Sequence, residues 1–428
     1  MTTATLEHPK TETPKTETPK TGTPKSRQSR GRAGSAGSKT AQDPQPVMPV
    51  VGILDQQDQH GFLRVDGYAP GPRDLYVPPA LIRRHGLRSG DLLVGAAAPD
   101  PSDASDTTKS GKTADKARPL LRVDTVNGRP ADQPHARKRF ADMTPLYPHQ
   151  RLRLETDAAQ YSTRAIDLVS PIGKGQRGLI VAPPKTGKTM LLQAVARAVT
   201  VNHPECHLMV VLLDERPEEV TDMRRSVAAE VIASTFDRPV GEHIAVAELA
   251  VERAKRLAEA DQDVVILLDS ITRLCRAHNN NAKSGGRTLS GGVDAASVAA
   301  PKRLFGAARN LEEGGSVTIL ATALVDTGSR ADDYFFEELK STGNMELRLD
   351  RALADKRIFP AIDVAGSSTR REELLVAGDE LDALRRLRRV LLSRPPQQAV
   401  ELLLERMKLT SGNDVFLRSI RQTTPAGV

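Results

Sequence analysis

The sequence predicts a multidomain chain: a small five-stranded β-barrel of the OB type, then an α/β domain built on a mostly parallel sheet. Three observations predict it. Short apolar and β-branched runs recur between residues 47 and 128, separated by turn residues. From residue 151 onward, strand and helix patterns alternate. Within that alternation the run Ala182-Pro183-Pro184-Lys185-Thr186-Gly187-Lys188-Thr189 follows the apolar stretch 179–181 and opens a helical pattern at Met190.

Residues 1–46 come first. They repeat Thr-Glu-Thr-Pro-Lys, then turn to Arg, Gly and Ser, and beyond Met1 hold one large apolar side chain, Leu6. No core can form from this, so the segment is expected to be a disordered basic tail. It serves either as a solvated tether or as an arm that adds non-specific affinity for nucleic acid.

The barrel is expected over residues 47–128, with strands at 50–54, 61–65, 75–77, 91–95 and 120–123 and a short helix at 79–85. A polar insert at 99–119 contains Ser110-Gly111-Lys112-Thr113. No strand precedes that fragment and no apolar helix follows, so it is set aside. Aromatics make up only 3% of the chain and Trp is absent, which gives weight to Phe62 and Tyr76 on adjacent strands. Sharing a face, the two rings would stack nucleobases, with Arg64, Arg83, Arg84 and Arg88 on phosphates. Burial of Phe62 in the barrel core is the competing expectation. Tyr76 alternates with Leu75 and Val77 and is expected to face away from the core.

A connector at 129–150 carries Pro130, Pro134, Pro145 and Pro148 beside the basic run Arg137-Lys138-Arg139. In the second domain, residues 151–428, strands are expected at 179–182, 208–213, 264–268, 317–321 and 345–349. Helices broken at Pro395-Pro396 and Gly412 close the chain.

The chemistry concentrates at the strand ends. The phosphate loop at 182–190 would bind a nucleoside triphosphate through backbone N–H groups at the helix start, with Lys188 on the β/γ-phosphates and the Thr189 hydroxyl on Mg²⁺. Ala182 occupies the place of the motif's first glycine. Asp269 ends the apolar run 264–268, where a carboxylate would hold the Mg²⁺ water shell. Glu215 ends another strand and could polarise the attacking water if that strand neighbours the first; an ion pair with Arg216 is the alternative. Arg370 is expected on an exposed turn remote in sequence from the phosphate loop, which suits a contribution to a neighbouring subunit. Two loops, 279–292 with Lys283 and Arg287, and 325–330 with Thr327 and Arg330, either grip a nucleic-acid backbone or are plain solvent loops.

The formal charge of +7 favours a polyanionic partner. The two cysteines, Cys206 and Cys275, lack metal-ligand spacing and fit buried positions in a reducing cytoplasm. No signal peptide and no membrane span is expected.

Several long segments carry a resemblance: residues 167–189, Leu213-Asp214-Glu215-Arg216-Pro217-Glu218-Glu219-Val220, residues 267–273, 301–309 and 342–347, and Thr369-Arg370-Arg371-Glu372-Glu373-Leu374-Leu375. In these the chain resembles the bacterial Rho transcription-termination family, which also uses alanine at the phosphate-loop position of Ala182. The resemblance implies a RecA-like motor in a homohexameric ring. It implies RNA-dependent ATP hydrolysis, 5′→3′ translocation on single-stranded RNA and release of transcripts from the RNA polymerase elongation complex. Residue by residue, it implies Lys185, Lys188 and Thr189 on phosphates and Mg²⁺, Asp269 as the metal-side acid and Glu215 as the catalytic carboxylate. It further implies Arg216 assisting across the subunit interface, Arg370 as the arginine finger and Phe359 against adenine. Arg287 and Arg330 match the channel loops, and Phe62 and Tyr76 the primary RNA site. His60 and Arg118-Pro119 stand where the family often carries aromatics, and its N-terminal helical subdomain is not recognisable. Another RecA-like motor, such as a DNA helicase or rotary ATPase subunit, and an RNA-binding protein without hydrolysis are the remaining alternatives.

Overall fold

The computed structural model describes residues 47–99, 118–133, 137–282, 288–289, 292–294 and 297–423. The tail, the Ser110-to-Thr113 fragment, Lys283 and Arg287 lie outside them.

The barrel sheet runs in the order β3-β2-β1-β4-β5, where β1 is Met48–Gln57, β2 His60–Arg64, β3 Leu75–Val77, β4 Leu92–Ala97 and β5 Leu120–Val126, and the two-residue strand Arg129–Pro130, at the start of the expected connector, pairs onto β5. Helix α1, Pro79–His85, closes one end. Alternation sends Leu54, Leu63, Leu75, Val77 and Leu93 inward to a fully buried core. The barrel is bolted to the second domain. Gly90 has a φ of 84°, and a side chain there would stand 2.4 Å from the Glu252 backbone, so only glycine permits this approach. Around it, Arg88 pairs with Glu259 at 2.8 Å, Arg253 donates to Asn127 at 2.7 Å and the Tyr68 hydroxyl donates to Glu230 at 2.6 Å.

The connector region is packed rather than free: Phe140 and Met143 are buried in the core of the second domain. That domain holds α2 (Tyr161–Val169), β6 (Arg177–Ala182), α3 (Lys188–Asn202), β7 (His207–Glu215), α4 (Pro217–Ser226), β8 (Glu230–Thr235) and α5 (Val240–Ala258). There follow β9 (Val264–Asp269), α6 (Ile271–Asn281), α7 (Ala299–Phe305), β10 (Ser316–Leu324), α8 (Arg330–Lys340), β11 (Met345–Leu349), α9 (Arg351–Asp355) and β12 (Ile362–Thr369). Along the main path the strand order is β8-β7-β9-β10-β6-β11-β12, parallel except for the last pair; the short segment Arg309–Leu311 pairs antiparallel with β10 and with Pro145–Leu146 of the connector. Helices bury an apolar layer on each face. Helices α10 (Gly378–Leu392), α11 (Pro396–Lys408) and α12 (Asn413–Thr423) follow, broken where Pro395 and Gly412 predict. Among the described residues no helix is long and apolar enough to cross a membrane.

Candidate nucleotide and RNA sites

The phosphate loop grows out of the most buried part of the sheet. Ala182 is the last residue of β6 and its methyl lies in the apolar layer, so a small side chain is accommodated where the motif has glycine. The loop is then pinned: the Thr186 hydroxyl donates to Pro183 O at 2.8 Å and Arg351 donates to Pro184 O at 2.9 Å. Lys185 and Gly187 adopt φ values of 67° and 85°. Helix α3 begins at Lys188 with no side chain capping its first turn, which leaves its N–H groups and dipole for an anion. Phe359 stands at the mouth, 46% exposed, its ring 3.4 Å from where a Gly187 Cβ would be. Met190 is exposed in the first turn of α3.

Lys188 bridges two carboxylates, 2.6 Å from Asp269 Oδ1 and 3.2 Å from Glu215 Oε1. The topology behind this differs from the simple expectation. Strand β7 does not neighbour β6; β9 and β10 lie between them. Glu215 reaches the site because Asp214 turns left-handed, with φ of 55°, and the register shifts between Leu213 and Glu215. Such a bulge re-aims the next side chain. Glu215 is buried, and burial pushes its carboxyl above the ordinary range against the pull of Lys188. Burial also works against the Lys188 charge, but Asp269 and Glu215 outweigh it and hold the ammonium above its ordinary value. Asp269 accepts a second bond from the Thr322 hydroxyl at 2.7 Å. Arg273, which sequence reasoning did not single out, lies 3.3 Å from Glu215 and 3.7 Å from Asp214. Its one signal was its place in the first turn of the helix that follows Asp269.

Among the described residues no cluster of three metal-ligating side chains exists. Asp269 and Glu215 supply carboxylate oxygens, the donor type that a hard divalent cation takes. The Lys188 ammonium, seated between two buried carboxylates, marks where positive charge belongs.

Arg216 is exposed just before α4, its guanidinium 3.8 Å from Glu219. Arg370 is exposed, directly after β12. Thr369 pairs with Met345, and Met345 pairs with Gly178 near the start of β6. The phosphate loop leaves the other end of β6. At about 3.3 Å per residue, the strand separates Arg370 from its own phosphate loop by roughly 15 Å or more.

On the barrel, Phe62 and Tyr76 are register partners, both half-buried, on the face opposite the core. Their centroids are 6.2 Å apart, and the His60 ring lies 5.7 Å from Phe62 and 5.8 Å from Tyr76. The cluster thus has three rings, with imidazole as the third. Arg83 and Arg84 are exposed in the last turn of α1. Arg64 requires a correction. It is 5% exposed, paired with Asp55 and with Asp74, its guanidinium carbon 5.5 Å from the Phe62 ring centroid. A buried arginine held by two internal carboxylates braces the aromatic face and does not lie open to a phosphate.

The loop at 325–330 leaves β10 directly, and the loop after Asn281 leaves α6. Arg276 on α6 ties the two regions by donating to buried Asp332 at 2.9 Å. Thr327 also donates to Asp332, at 2.6 Å, so its hydroxyl shapes the loop. Arg330 is exposed at the start of α8.

Fold and site together define a phosphate-loop ATPase domain joined to an RNA-binding barrel. Residues 162–369 match the ATP synthase alpha/beta family nucleotide-binding domain, and residues 50–132 match the Rho termination factor RNA-binding domain. The transcription termination factor Rho of Streptomyces coelicolor is 61% identical over 377 residues, covering 88% of this chain and 86% of that protein. The Streptosporangium roseum Rho factor is 58% identical, covering 88% and 93%. The Streptomyces lividans factor is 61% identical, but this chain spans only 52% of its length. The chain belongs to the transcription termination factor Rho family. Among solved structures, a prototypical ATPase of the type III secretion system of pathogenic bacteria superposes with a TM-score of 0.53 at 21% identity, covering 69% of this chain and 94% of that one. The assembled ATPase EscN from enteropathogenic E. coli gives the same TM-score, also at 21% identity, covering 65% and 72%. These two likenesses concern the fold alone.

Proposed function

We propose that the chain works in the cytoplasm as a subunit of a homohexameric, RNA-dependent ATPase that moves 5′→3′ on nascent single-stranded RNA and releases transcripts from the RNA polymerase elongation complex. The observation that carries the proposal is the split site: Lys188, Glu215 and Asp269 meet at one sheet edge, while Arg370 lies at the other.

When ATP enters, the uncapped start of α3 receives its phosphates, with Lys185 and Lys188 turning to them and Phe359 covering the base. Thr189 and Asp269 are the residues that would hold Mg²⁺, which when bound neutralises charge on the phosphate oxygens. Lys188 leaving the carboxylates leaves Glu215 with Arg273 as its remaining cationic neighbour. Burial has raised the basicity of Glu215, so it is suited to orient a water and accept its proton as the oxygen attacks the γ-phosphorus and ADP departs. Arg370 of the next subunit, with Arg216 at the same interface, supplies positive charge to the transferring group. RNA is gathered on His60, Phe62 and Tyr76 with Arg83 and Arg84 on its backbone. It is then drawn past Arg330 and the loop bearing Lys283 and Arg287.

The test is release of labelled transcript from stalled elongation complexes. ATP should drive release by the intact protein and not by Lys188→Ala. Release that is independent of ATP, or absent on a transcript rich in unpaired cytosine, would contradict the proposal.

A further inference from the structure

The turn that carries Arg370 is held from two sides. From inside, the Arg370 N–H donates to Asn344 O at 2.9 Å. Asn344 is buried, and its side-chain oxygen accepts from Gln176 at 2.7 Å and from the Arg177 N–H at 2.8 Å. From outside, the hold comes through Arg371. This residue has a φ of 59°, a region that residues other than glycine seldom adopt and that needs surrounding contacts to persist. Its Nε donates to Glu373 at 2.5 Å, and its guanidinium carbon stands 5.1 Å from the centroid of the Tyr147 ring. Tyr147 belongs to the stretch between barrel and motor and is 60% exposed. A large exposed ring is thus stacked on the neighbour of Arg370, at the sheet edge away from the chain's own phosphate loop.

We propose that Tyr147 is a positioning residue for Arg370: by holding the Arg371 guanidinium it fixes the left-handed turn that aims Arg370 at the nucleotide of the adjacent subunit. Tyr147 touches no substrate in this account; it acts through Arg371. The proposal rests on the reading that Arg370 works in trans. An ordinary surface stack would have the same appearance in a single subunit but would leave turnover unchanged when broken.

The experiment is RNA-stimulated ATP hydrolysis by the full chain. Tyr147→Ala should lower kcat about fivefold, the scale of a single cation–π interaction, with little change in KM for ATP. Tyr147→Phe keeps the ring and should restore kcat. Arg371→Ala breaks the stack from its other side and should reproduce the loss, which keeps the test valid if Tyr147→Ala folds poorly. Mixing Tyr147→Ala with an excess of Lys188→Ala subunits should raise turnover for each intact phosphate loop, because the neighbour then supplies Tyr147. An Arg370→Ala mixture with the same Lys188→Ala subunits runs in parallel. Recovery there but not with Tyr147→Ala would overturn the role of Tyr147 and leave the trans reading standing. Recovery in neither mixture would overturn both. Unchanged kcat in Tyr147→Ala, or no restoration by Tyr147→Phe, would also overturn the proposal.

Discussion

Arg64→Ala separates bracing from RNA contact on the barrel. The Arg64 side chain is 6% exposed and its partners Asp55 and Asp74 are 19% and 6% exposed. Among the described residues Asp74 Oδ1 already lacks a hydrogen bond, and without Arg64 the carboxylate keeps only the Gly71 N–H at 2.8 Å. Removing one member of a buried pair costs about 3–5 kcal/mol, against a typical domain stability of about 5–15 kcal/mol. The midpoint of barrel unfolding in urea should therefore fall by about 1 M or more. The chain contains no Trp, so circular dichroism is the natural probe. Arg83→Ala and Arg84→Ala, both exposed, should each change stability by less than about 0.5 kcal/mol. Each should instead reduce the slope of log RNA affinity against log salt by about 1, because each takes one cation away from a phosphate. An Arg64→Ala protein that melts like the parent and loses salt slope would refute the reasoning and return Arg64 to the RNA surface.

Two other perturbations follow from the motor site. Lys188→Ala should abolish hydrolysis while single-stranded RNA still binds the barrel with unchanged affinity; loss of both would show that the two sites are not separable. Glu215→Gln should lower turnover by about 10²-fold or more, yet stabilise the nucleotide-free protein near pH 7. The sign follows from the raised Glu215 carboxyl. Its protonated form is favoured in the fold, a contribution complete below the unfolded value and lost as pH rises through the folded one. Near neutrality the native state therefore carries an unfavourable buried charge that glutamine removes, and the gain should vanish in acid. Calorimetry across that range checks it; a Glu215→Gln protein less stable than the parent near pH 7 would contradict the assignment.

Local signals were enough for much of the architecture. The phosphate loop, the strand ending at Asp269, helix α1 and the helix breaks near Pro395 and Gly412 each follow from short-range pattern and turn chemistry. The edge strands β8 and β12 were not anticipated. Ile362–Thr369 carries Asp, Gly, Ser and Thr in place of a clean apolar run, because an edge strand paired on one side can stay polar. At the site, residue types were legible but their meeting was not. Glu215 reaches Lys188 across two intervening strands through a bulge at Asp214, and Arg273 joins them from the next helix. Neither distance is encoded in spacing. Arg64 was misjudged because charge on a strand suggests a surface, whereas Asp55 and Asp74 converge on it only in the folded barrel. His60 completes the ring cluster for a related reason: hairpin register, not composition, brings it beside Tyr76.

The claim that this ATPase is driven by RNA is tested most directly by turnover in the presence of poly(C), poly(U), duplex RNA and single-stranded DNA. Strong stimulation by the single-stranded RNAs, with little from duplex RNA and none from DNA, is the expected result. Equal stimulation by DNA would point to a different RecA-like motor, and no turnover with any polymer would leave an RNA-binding protein without a motor.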